Sequence, residues 1–424
     1  MALPHKTLST FQPVFVARQP IFDREDSVFG YELLFRSCRE DLVASFSDGD
    51  AATSSVITEG YSMARSALGA DKKIFINFTE RLLLGEAPFA LPPENCMVEI
   101  LETVTPDSRV IESCKRLKHS GYTLVLDDYK GQDAFKPLFP YLDIVKVDIS
   151  QLPPRKVLEL TELLRVHEVK LLAEKIESLK VYNACKRCGF DLFQGFFFCR
   201  PQVLPGKKPS AARISRFRLL KELSRPGVEV ATLAEIIQAD AALSYRMLRF
   251  INSVFFGLRH KVNSIQHAIT LVGLRQLTQW ARLTILSDLS DAFYTHELVF
   301  IAAQRGKFLQ DMSRSSQSKP MDTSSMFMFG LFTMLPALLD QDMETILEQL
   351  PLDREISEAL MGRNPLARRW FRLTLALERG DWGEAEFFLD RLGLDKQAAA
   401  ATHAKSMAWA ESFIRPKITG ESEA

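Results

Sequence analysis

The first two hundred residues alternate between short apolar runs and longer amphipathic segments, and this alternation constrains the fold more than any other feature of the chain. Seven runs have the length and the β-branched or aromatic content of strands, at residues 28–35, 73–78, 97–101, 122–126, 144–147, 169–173 and 193–198. Helical patterns lie between them at about 51–68, 107–120, 152–167 and 177–188. Strands and helices that alternate in this way form parallel βα units. Seven units in one run predict a closed, TIM-like βα barrel over residues 12–202.

The pattern changes near residue 202, which divides the sequence into two domains. Residues 203–210 include two prolines, a glycine and two lysines, the composition of a linker. Apolar residues at helical spacing then predict an all-helical bundle over 211–400, followed by a C-terminal helix and tail at 401–424. The predicted fold class is therefore α/β plus all-α.

Composition limits the partners of the chain. Basic and acidic residues number 53 each among 424, so no overall field attracts the protein to nucleic acid or to an anionic membrane. The six cysteines show no secreted-type disulfide framework, and one CxxC pair is too few ligands for a zinc site. No run approaches the ~18 apolar residues of a membrane span, and the N-terminus lacks the apolar core of a signal peptide. These features predict a cytoplasmic protein without a membrane or nucleic-acid partner.

Polar side chains recur at the ends of successive predicted strands. Asp127 and Asp128 are the clearest pair, because adjacent carboxylates at a strand end repel unless they share a cation or a proton. The other members of this set are Glu32, Asn77, Glu99, Lys146, Asp148, Glu174 and Gln194. Since the carboxyl ends of barrel strands meet at one face, we expect these side chains to converge there. Such a set suits Mg²⁺ or Mn²⁺ together with a phosphate.

Six short motifs resemble, in order, those of EAL domains. They are Tyr31-Glu-Leu-Leu-Phe-Arg36, Val98-Glu-Ile-Leu-Glu102, Leu126-Asp-Asp-Tyr129, Val145-Lys-Val-Asp148, Ala173-Glu-Lys-Ile-Glu177 and Phe193-Gln-Gly-Phe196. Each motif alone is weak, but the ordered set is specific. The resemblance covers about residues 12–202. It implies a barrel that holds two divalent metal ions and hydrolyses cyclic di-GMP to the linear dinucleotide.

The same resemblance implies a role for each residue of the site. Glu32, Asn77, Glu99 and Asp127 would ligate the first metal ion, and Asp128 would ligate the second. Lys146 and Glu174 would be catalytic and act on the attacking water. Arg36 would bind a ligand phosphate, Gln194 would close the site, and Glu102 would brace the loop after Asp128. A metal pair lowers the pKa of bound water and stabilises in-line attack on a phosphodiester.

Three positions depart from the EAL pattern, and each predicts a weakened site. Leu33 stands where the family has alanine and would add bulk beside Glu32. After the paired aspartates the family's Phe-Gly-Thr-Gly-Tyr-Ser-Ser becomes Tyr129-Lys-Gly-Gln-Asp-Ala-Phe135, so that Lys130 replaces a glycine that permits positive φ. Lys130 would also pair with Asp128 and compete with the second metal ion. Lys175 replaces the glycine that follows Glu174.

The second half resembles the HDOD domain, a helical relative of the HD phosphohydrolases. The resemblance rests on residues 240–253, 264–269 and 271–274 and covers about residues 205–400. An HD metal site needs an adjacent His-Asp pair, and the sequence contains none. This half is therefore expected to be an output or protein-interaction module and not an enzyme.

These features support a regulatory protein of the cyclic di-GMP network over its alternatives. In this interpretation a degenerate EAL barrel binds cyclic di-GMP or another partner, and the HDOD bundle transmits the state. Leu33, Lys130 and Lys175 favour it because they crowd or recharge the site. The alternatives are an active, metal-dependent cyclic di-GMP phosphodiesterase and a scaffold that binds no nucleotide. A homodimer through the EAL barrel is a further expectation.

Overall fold

The chain folds into a barrel half and a helical half. The computed structural model describes residues 14–37, 61, 72–199, 271–287, 295–339, 341–350 and 352–414, with isolated positions between 220 and 251. The predicted fold class, α/β followed by all-α, is confirmed. The linker at 203–210 and most of the first predicted helix lie outside the described residues. None of the described helices combines the length and apolar character that crossing a membrane requires.

Eight strands close the barrel in sequence order. They are β1 (Val14–Phe22), β2 (Val28–Ser37), β3 (Lys73–Phe78), β4 (Cys96–Ile100), β5 (Thr123–Leu126), β6 (Ile144–Asp148), β7 (Lys170–Glu174) and β8 (Leu192–Gln194). Strands β2 to β8 run parallel, whereas β1 is antiparallel to both of its neighbours, β2 and β8. The carboxyl ends of seven strands therefore meet at one face, the barrel mouth.

Strand β1 is the main departure from the predicted barrel. Its sequence places Arg18, Gln19 and Pro20 in the middle of an apolar run, and such a run does not read as a buried strand. Beyond its pairing with β3, which ends at Leu33, β2 continues to Ser37 and, among the described strands, pairs there with β1 alone. The two strands thus extend past the mouth as a two-stranded ribbon.

The predicted strand at 193–198 is wrong in its length. Strand β8 ends at Gln194, and residues Phe197–Cys199 form a 3₁₀ turn. Gly195 causes this break, because it adopts φ +145° and a Cβ at that position would collide with the backbone of Ile176. Only glycine lets the segment after β7 cross so close to the end of β8.

Four helices accompany the described strands of the barrel. They are α1 (Glu80–Leu84), α2 (Ser108–His119), α3 (Pro154–Arg165) and α4 (Leu179–Cys188). The last three agree with their predicted ranges to within two residues at each end. Helix α2 begins where predicted because the Asp107 carboxylate accepts hydrogen bonds from the backbone N–H groups of Arg109 and Val110.

An apolar layer fills the barrel interior below the mouth. Seven strands each contribute one buried side chain to it, and Phe29 of β2 packs against them. The seven are Ile21, Phe75, Met97, Val125, Ile144, Leu172 and Leu192. This layer is separate from the larger core between the barrel and the surrounding helices. It forms a closed floor beneath the mouth.

The helical half consists of nine helices among the described residues. They are α5 (Leu274–Ser287), α6 (Thr295–Ser315), α7 (Thr323–Phe332), α8 (Leu335–Leu339), α9 (Met343–Gln349), α10 (Arg354–Leu360), α11 (Pro365–Arg379), α12 (Trp382–Leu392) and α13 (Lys396–Ile414). Helix α6 lies at the centre and packs against both α7 and α13. The run from Met326 to Phe332 on α7 is buried throughout, so its methionines and phenylalanines are core residues.

The helical half docks on β1. The rings of Phe15 and Trp382 lie with centroids 5.7 Å apart, and helices α11 and α13 pack along the strand. Arg18 is buried between two carboxylates, with guanidinium nitrogens 3.3 Å from Glu297 Oε2 on α6 and 3.2 Å from Glu411 Oε2 on α13. The strand that the sequence does not predict is thus the one that joins the two halves.

Candidate functional site

A polar layer lies directly above the apolar floor. Because strand side chains alternate, the residue two positions toward the mouth from each floor residue also faces the barrel interior. Those positions hold Gln19, Asn77, Glu99, Asp127, Lys146, Glu174 and Gln194, and Glu32 supplies the position on β2. Seven of these eight residues were predicted site residues. The structure therefore brings together the side chains that the sequence predicts to converge.

Lys146 is the centre of this layer. Its Nζ lies 2.9 Å from Asp127 Oδ1, 2.9 Å from Glu174 Oε1, 3.0 Å from Glu99 Oε1 and 3.4 Å from Glu32 Oε2. The lysine side chain is 1% exposed, so that water does not screen these contacts. Four carboxylates facing one ammonium leave an excess of three negative charges when all are ionised.

Burial of this excess charge shifts the proton affinities of the carboxylates. Burial raises the pKa of Glu174 to about 8 and raises the pKa of Glu99 well above its usual value. Burial would also raise the pKa of Glu32, but attraction to Lys146 and hydrogen bonds from Gln194 and Asn77 outweigh it and lower that pKa. The cluster is short of positive charge, and a further cation would relieve it.

Two amides hold Glu32 in place, and a third supports one of them. Asn77 Nδ2 donates to Glu32 Oε1 at 3.0 Å, and Gln194 Nε2 donates to Glu32 Oε2 at 2.6 Å. The same Gln194 nitrogen lies 3.0 Å from Gln19 Oε1, to which it also donates. Both oxygens of the carboxylate thus have a fixed orientation.

The donor set of this layer fits a hard divalent cation. Asn77 Oδ1, Glu99 Oε2 and Gln194 Oε1 are buried oxygens that accept no hydrogen bond. Buried oxygens without a donor, beside carboxylates in excess over cations, are the ligands that Mg²⁺ and Mn²⁺ prefer. Within the described part of the chain, no three His, Cys, Asp or Glu side chains form a ready-made metal cluster. Such a cluster is missing because the Lys146 ammonium occupies the point where the carboxylates converge.

The loop after β5 carries the ion pair that the sequence predicts. Lys130 Nζ lies 2.8 Å from Asp128 Oδ2. The glycine that Lys130 replaces would permit positive φ, but the backbone does not use that freedom at this position. Asp128 has φ +43° and Gly131 has φ +98°, whereas Lys130 is not among the residues with positive φ. The chain turns at the aspartate, which tolerates this conformation better than most residues because its short polar side chain can hydrogen-bond locally.

Among the described ion pairs, Lys175 contacts Asp148 and none of the four carboxylates around Lys146. It has φ +56°, so the family's glycine at this position matches the backbone that the position requires. Its ammonium pairs with Asp148 Oδ2, while Asp148 Oδ1 accepts from the N–H and hydroxyl of Ser150. Asp148 therefore anchors the loops of β6 and β7 and is not in contact with Lys146.

Above the polar layer lies a cavity of about 780 Å³ that both halves of the chain line. The barrel contributes, among others, Glu32, Asp127, Asp128, Glu174, Gln194 and Phe196. The helical half contributes Arg305, Thr333, Met334, Phe371, Leu375, Arg379 and Asp381. The volume lies within the ~300–1,000 Å³ range of small-molecule sites.

Comparison with known proteins places this geometry in a family. Residues 53–201 match the model of the EAL domain, and residues 213–302 match that of the HDOD domain. The uncharacterized protein YuxH of Bacillus subtilis is 33% identical over 95% of this chain and 100% of its own length. The chain belongs to the EAL–HDOD family. A second relative, the cyclic di-GMP phosphodiesterase CdgJ of Vibrio cholerae, is 31% identical over 96% of this chain and 94% of its own.

Solved structures resemble the EAL barrel at lower sequence identity than these two relatives do. A calcium and cyclic di-GMP complex of BlrP1 from Klebsiella pneumoniae aligns with a TM-score of 0.40 and 22% identity, over 47% of this chain and 58% of that chain.

Leu33 does not crowd the site of the EAL barrel, and that expectation is wrong. It follows Glu32 in β2 and therefore points to the opposite face of the sheet. There it is 1% exposed within the larger core between the barrel and its surroundings. The side chain from β2 that reaches the cavity beside Glu32 is Leu34.

Three other residues complete the description of the EAL site. The side chain of Arg36 lies outside the described residues, although its backbone continues β2. Glu102 lines the cavity at the mouth, where its predicted bracing role stays a prediction. Gln19 belongs to the polar layer and was not among the predicted residues. Gln19 lies two residues from the floor residue Ile21, and this spacing predicts its position only once residues 14–22 are assigned to a strand.

Proposed function

We propose that the EAL barrel binds cyclic di-GMP over the polar layer and that this protein acts as a regulatory receptor whose hydrolytic step is impaired. The observation that carries the proposal is the contact of Lys130 Nζ with Asp128 Oδ2 at 2.8 Å. Asp128 is the residue that would ligate a second metal ion. An ammonium at that carboxylate competes with the ion for the same oxygen.

In this proposal Mg²⁺ or Mn²⁺ is held by Glu32, Asn77, Glu99 and Asp127. When bound there, such an ion would supply positive charge to offset the excess carboxylate charge and would lower the pKa of water. The amides of Asn77 and Gln194 keep the Glu32 carboxylate oriented for this task. For the ion to bind, the Lys146 ammonium must give up some of its four carboxylate contacts.

The remaining residues of the site position the ligand and its proton. Lys146 stays close to the phosphate and offsets its charge. Glu174 accepts a proton from the attacking water or supplies a proton. The raised pKa of Glu174, about 8 because of its burial, suits a group that carries a proton near neutral pH. Arg36 binds a phosphate, Gln194 closes the site, and Glu102 supports the loop that carries Asp128 and Lys130.

An active cyclic di-GMP phosphodiesterase is the second candidate function. The four proposed ligands of the first ion, Lys146 and Glu174 all lie in the polar layer or beside it. The full-length relative CdgJ, 31% identical, bears the name of such an enzyme. Under this alternative Asp128 would release Lys130 and would hold the second metal ion.

Binding and turnover measured on one sample separate these functions. Purified protein is incubated with cyclic di-GMP and Mn²⁺ or Mg²⁺, and affinity is followed by calorimetry and the linear product by chromatography. Glu32→Ala is the site variant. Glu112→Ala, at an exposed ion pair with Lys115 on α2, is the matched control.

Metal-dependent binding that Glu32→Ala abolishes, with little product, supports the receptor. Product formation at an enzymatic rate that Glu32→Ala abolishes overturns the receptor in favour of the phosphodiesterase. If the wild-type protein shows no binding at micromolar ligand, both are overturned and a nucleotide-independent scaffold remains.

The HDOD half completes the proposal as the output module. We propose that it contacts a protein partner and that the EAL barrel forms a homodimer. The cytoplasmic location expected from the sequence is part of the same proposal, because the messenger is an intracellular one.

A further inference from the structure

We propose that Arg379 of the helical half binds a phosphate of the ligand held over the barrel mouth, so that the EAL site is completed by a residue from outside the EAL domain. This inference rests on the proposed binding of cyclic di-GMP and adds the second half of the chain to that site. It assigns the helical half direct contact with the ligand.

The position of Arg379 is fixed by its backbone. It is the last residue of α11, and its carbonyl oxygen accepts a hydrogen bond from Gln19 Nε2 at 3.1 Å. Gln19 in turn bonds Gln194, which bonds Glu32. The next residue, Gly380, has φ +68° and lies so close to Leu34 that a side chain there would collide with it. These contacts hold the end of α11 against the polar layer. They involve the backbone of Arg379 and not its side chain, so the side chain can be substituted without removing them.

The guanidinium of Arg379 lies at the cavity and is available. It is exposed, and its Cζ lies 5.5 Å from the ring centroid of Phe196, a residue that also lines the cavity. Within the described ranges, no carboxylate lies within 4 Å of its nitrogens, the distance that defines an ion pair in this structure. A guanidinium stacked on an aromatic ring is well placed to bind a phosphate with two parallel hydrogen bonds.

Arg305 lines the same cavity, but its guanidinium already pairs with a carboxylate of the helical half. Its Nε and Nη2 each donate to Glu378 at 2.7 Å, and its Nη1 donates to Thr333 Oγ1 at 2.9 Å. Its side chain is 5% exposed. Arg305 is thus a structural ion pair of the helical half, whereas Arg379 has the geometry of a ligand-binding residue.

The charges of the two walls match an anionic ligand that is bound through a cation. The barrel wall carries Asp127 and Asp128, which as carboxylates bind a phosphate through a metal ion. The helical wall presents Arg379, which binds a phosphate directly. A cyclic dinucleotide has two phosphates, so one can lie on each wall.

The test compares Arg379→Ala with Arg391→Ala. Arg391, on α12, is also exposed and stacks on Phe387 with Cζ 4.8 Å from the ring centroid, but it does not line the cavity. Calorimetric titration of the full chain with cyclic di-GMP in Mn²⁺ is expected to show an affinity about ten-fold or more lower for Arg379→Ala, the loss typical of a charge-assisted hydrogen bond. Arg391→Ala is expected to bind as the wild type does.

Two further readouts separate ligand contact from a structural role. The loss of a phosphate contact weakens the dependence of affinity on salt, and Arg379→Lys, which keeps the charge, is expected to recover part of the affinity. The melting temperature of Arg379→Ala without ligand is expected to equal that of the wild type. If Arg379→Ala binds within two-fold of the wild type while Asp127→Asn loses binding, this inference is overturned and the proposed function stands. If the wild-type chain does not bind, both are overturned.

Discussion

At the residue scale, two lysines contact the carboxylates of the mouth in different ways. Lys146 is buried and contacts four carboxylates at once, so removing its charge would leave buried carboxylates without their cation. Lys130 contacts one carboxylate oxygen of Asp128, and its side chain is 36% exposed. Its backbone does not need glycine, since the positive φ angles fall at Asp128 and Gly131. The charge of Lys130 can therefore be removed without disturbing the loop.

Lys130→Met is expected to strengthen metal binding. Methionine keeps the aliphatic bulk and removes the ammonium that pairs with Asp128. Mn²⁺ affinity should therefore rise about two- to five-fold, the range of a partly exposed ion pair of ~0.3–1 kcal/mol. Calorimetric titration with Mn²⁺ measures this, and product formation from cyclic di-GMP should rise with it. Lys136→Met is the control, because it removes a lysine 2.8 Å from Asp133 in the 3₁₀ helix Asp133–Tyr141 that follows the loop. Unchanged or weaker Mn²⁺ binding by Lys130→Met would contradict our account of the loop.

A buried histidine makes stability depend on pH. His403 on α13 is 2% exposed, and Gln304 Nε2 lies 2.9 Å from its Nε2, as in a neutral ring that accepts a hydrogen bond. Burial lowers the pKa of His403 from 6.5 to about 4. Below pH 6.5 the unfolded chain takes up a proton that the folded chain does not, so the free energy of unfolding falls as the pH decreases toward 4.

His403→Gln is expected to remove this contribution. Between pH 7.5 and pH 5 the wild type should lose ~2 kcal/mol of unfolding free energy through His403, and the glutamine variant should lose that much less. Urea unfolding at the two pH values measures the difference. His119→Gln on the surface of α2 is expected to follow the wild type, and a His403→Gln variant that does the same would refute the buried-neutral assignment.

At the element scale, β1 decides how the halves are joined. Burial would lower the pKa of Arg18, but attraction to Glu297, Tyr31 and Glu411 outweighs it and raises that pKa. The guanidinium also lies over the ring of Phe300, with Cζ 3.3 Å from the centroid. Two helices from the far end of the chain thus meet one residue of the first strand.

Arg18→Met is expected to destabilise the protein by ~3–5 kcal/mol, because it leaves two buried carboxylates without their cation. Replacing the carboxylates as well, in Arg18→Met/Glu297→Gln/Glu411→Gln, should recover much of the loss. Urea midpoints measure both. Lys115→Met, at an exposed pair with Glu112, should cost little. A cost for Arg18→Met no larger than that of Lys115→Met would show that the network does not stabilise the docked halves.

Strand periodicity also explains which parts of the site were predictable. Asn77, Asp127 and Glu174 lie at the ends of apolar runs, so strand-end polarity locates them. Glu99, Lys146 and Gln194 are polar residues inside or near the start of their runs. Gln19 could not be found in this way, since Pro20 and Arg18 conceal the strand. Leu33 was placed in the site by its neighbour Glu32, although alternation along β2 puts the two side chains on opposite faces.

At the scale of the whole molecule, the sequence predicts two folds but not their arrangement. Each half has its own periodicity, which is local information. The contact between Gln19 and Arg379 joins residues 360 positions apart, and no local pattern encodes it. The shared cavity follows from that contact, so the participation of the helical half in the mouth was not predictable. The bounds of the two domain models, 53–201 and 213–302, likewise exclude both β1 and Arg379.

The Arg18–Glu411 pair also sets an order of events during synthesis. The two residues are 393 positions apart. At roughly 5–20 residues per second, a ribosome needs roughly 20–80 s to deliver Glu411 after Arg18 has emerged. During the later part of that interval all the barrel strands are present, but Trp382, which packs on Phe15, and Glu411, which pairs with Arg18, are not yet both available. A nascent chain of this protein therefore exposes an apolar, cationic strand until translation is nearly complete, and this is when a chaperone has most to bind.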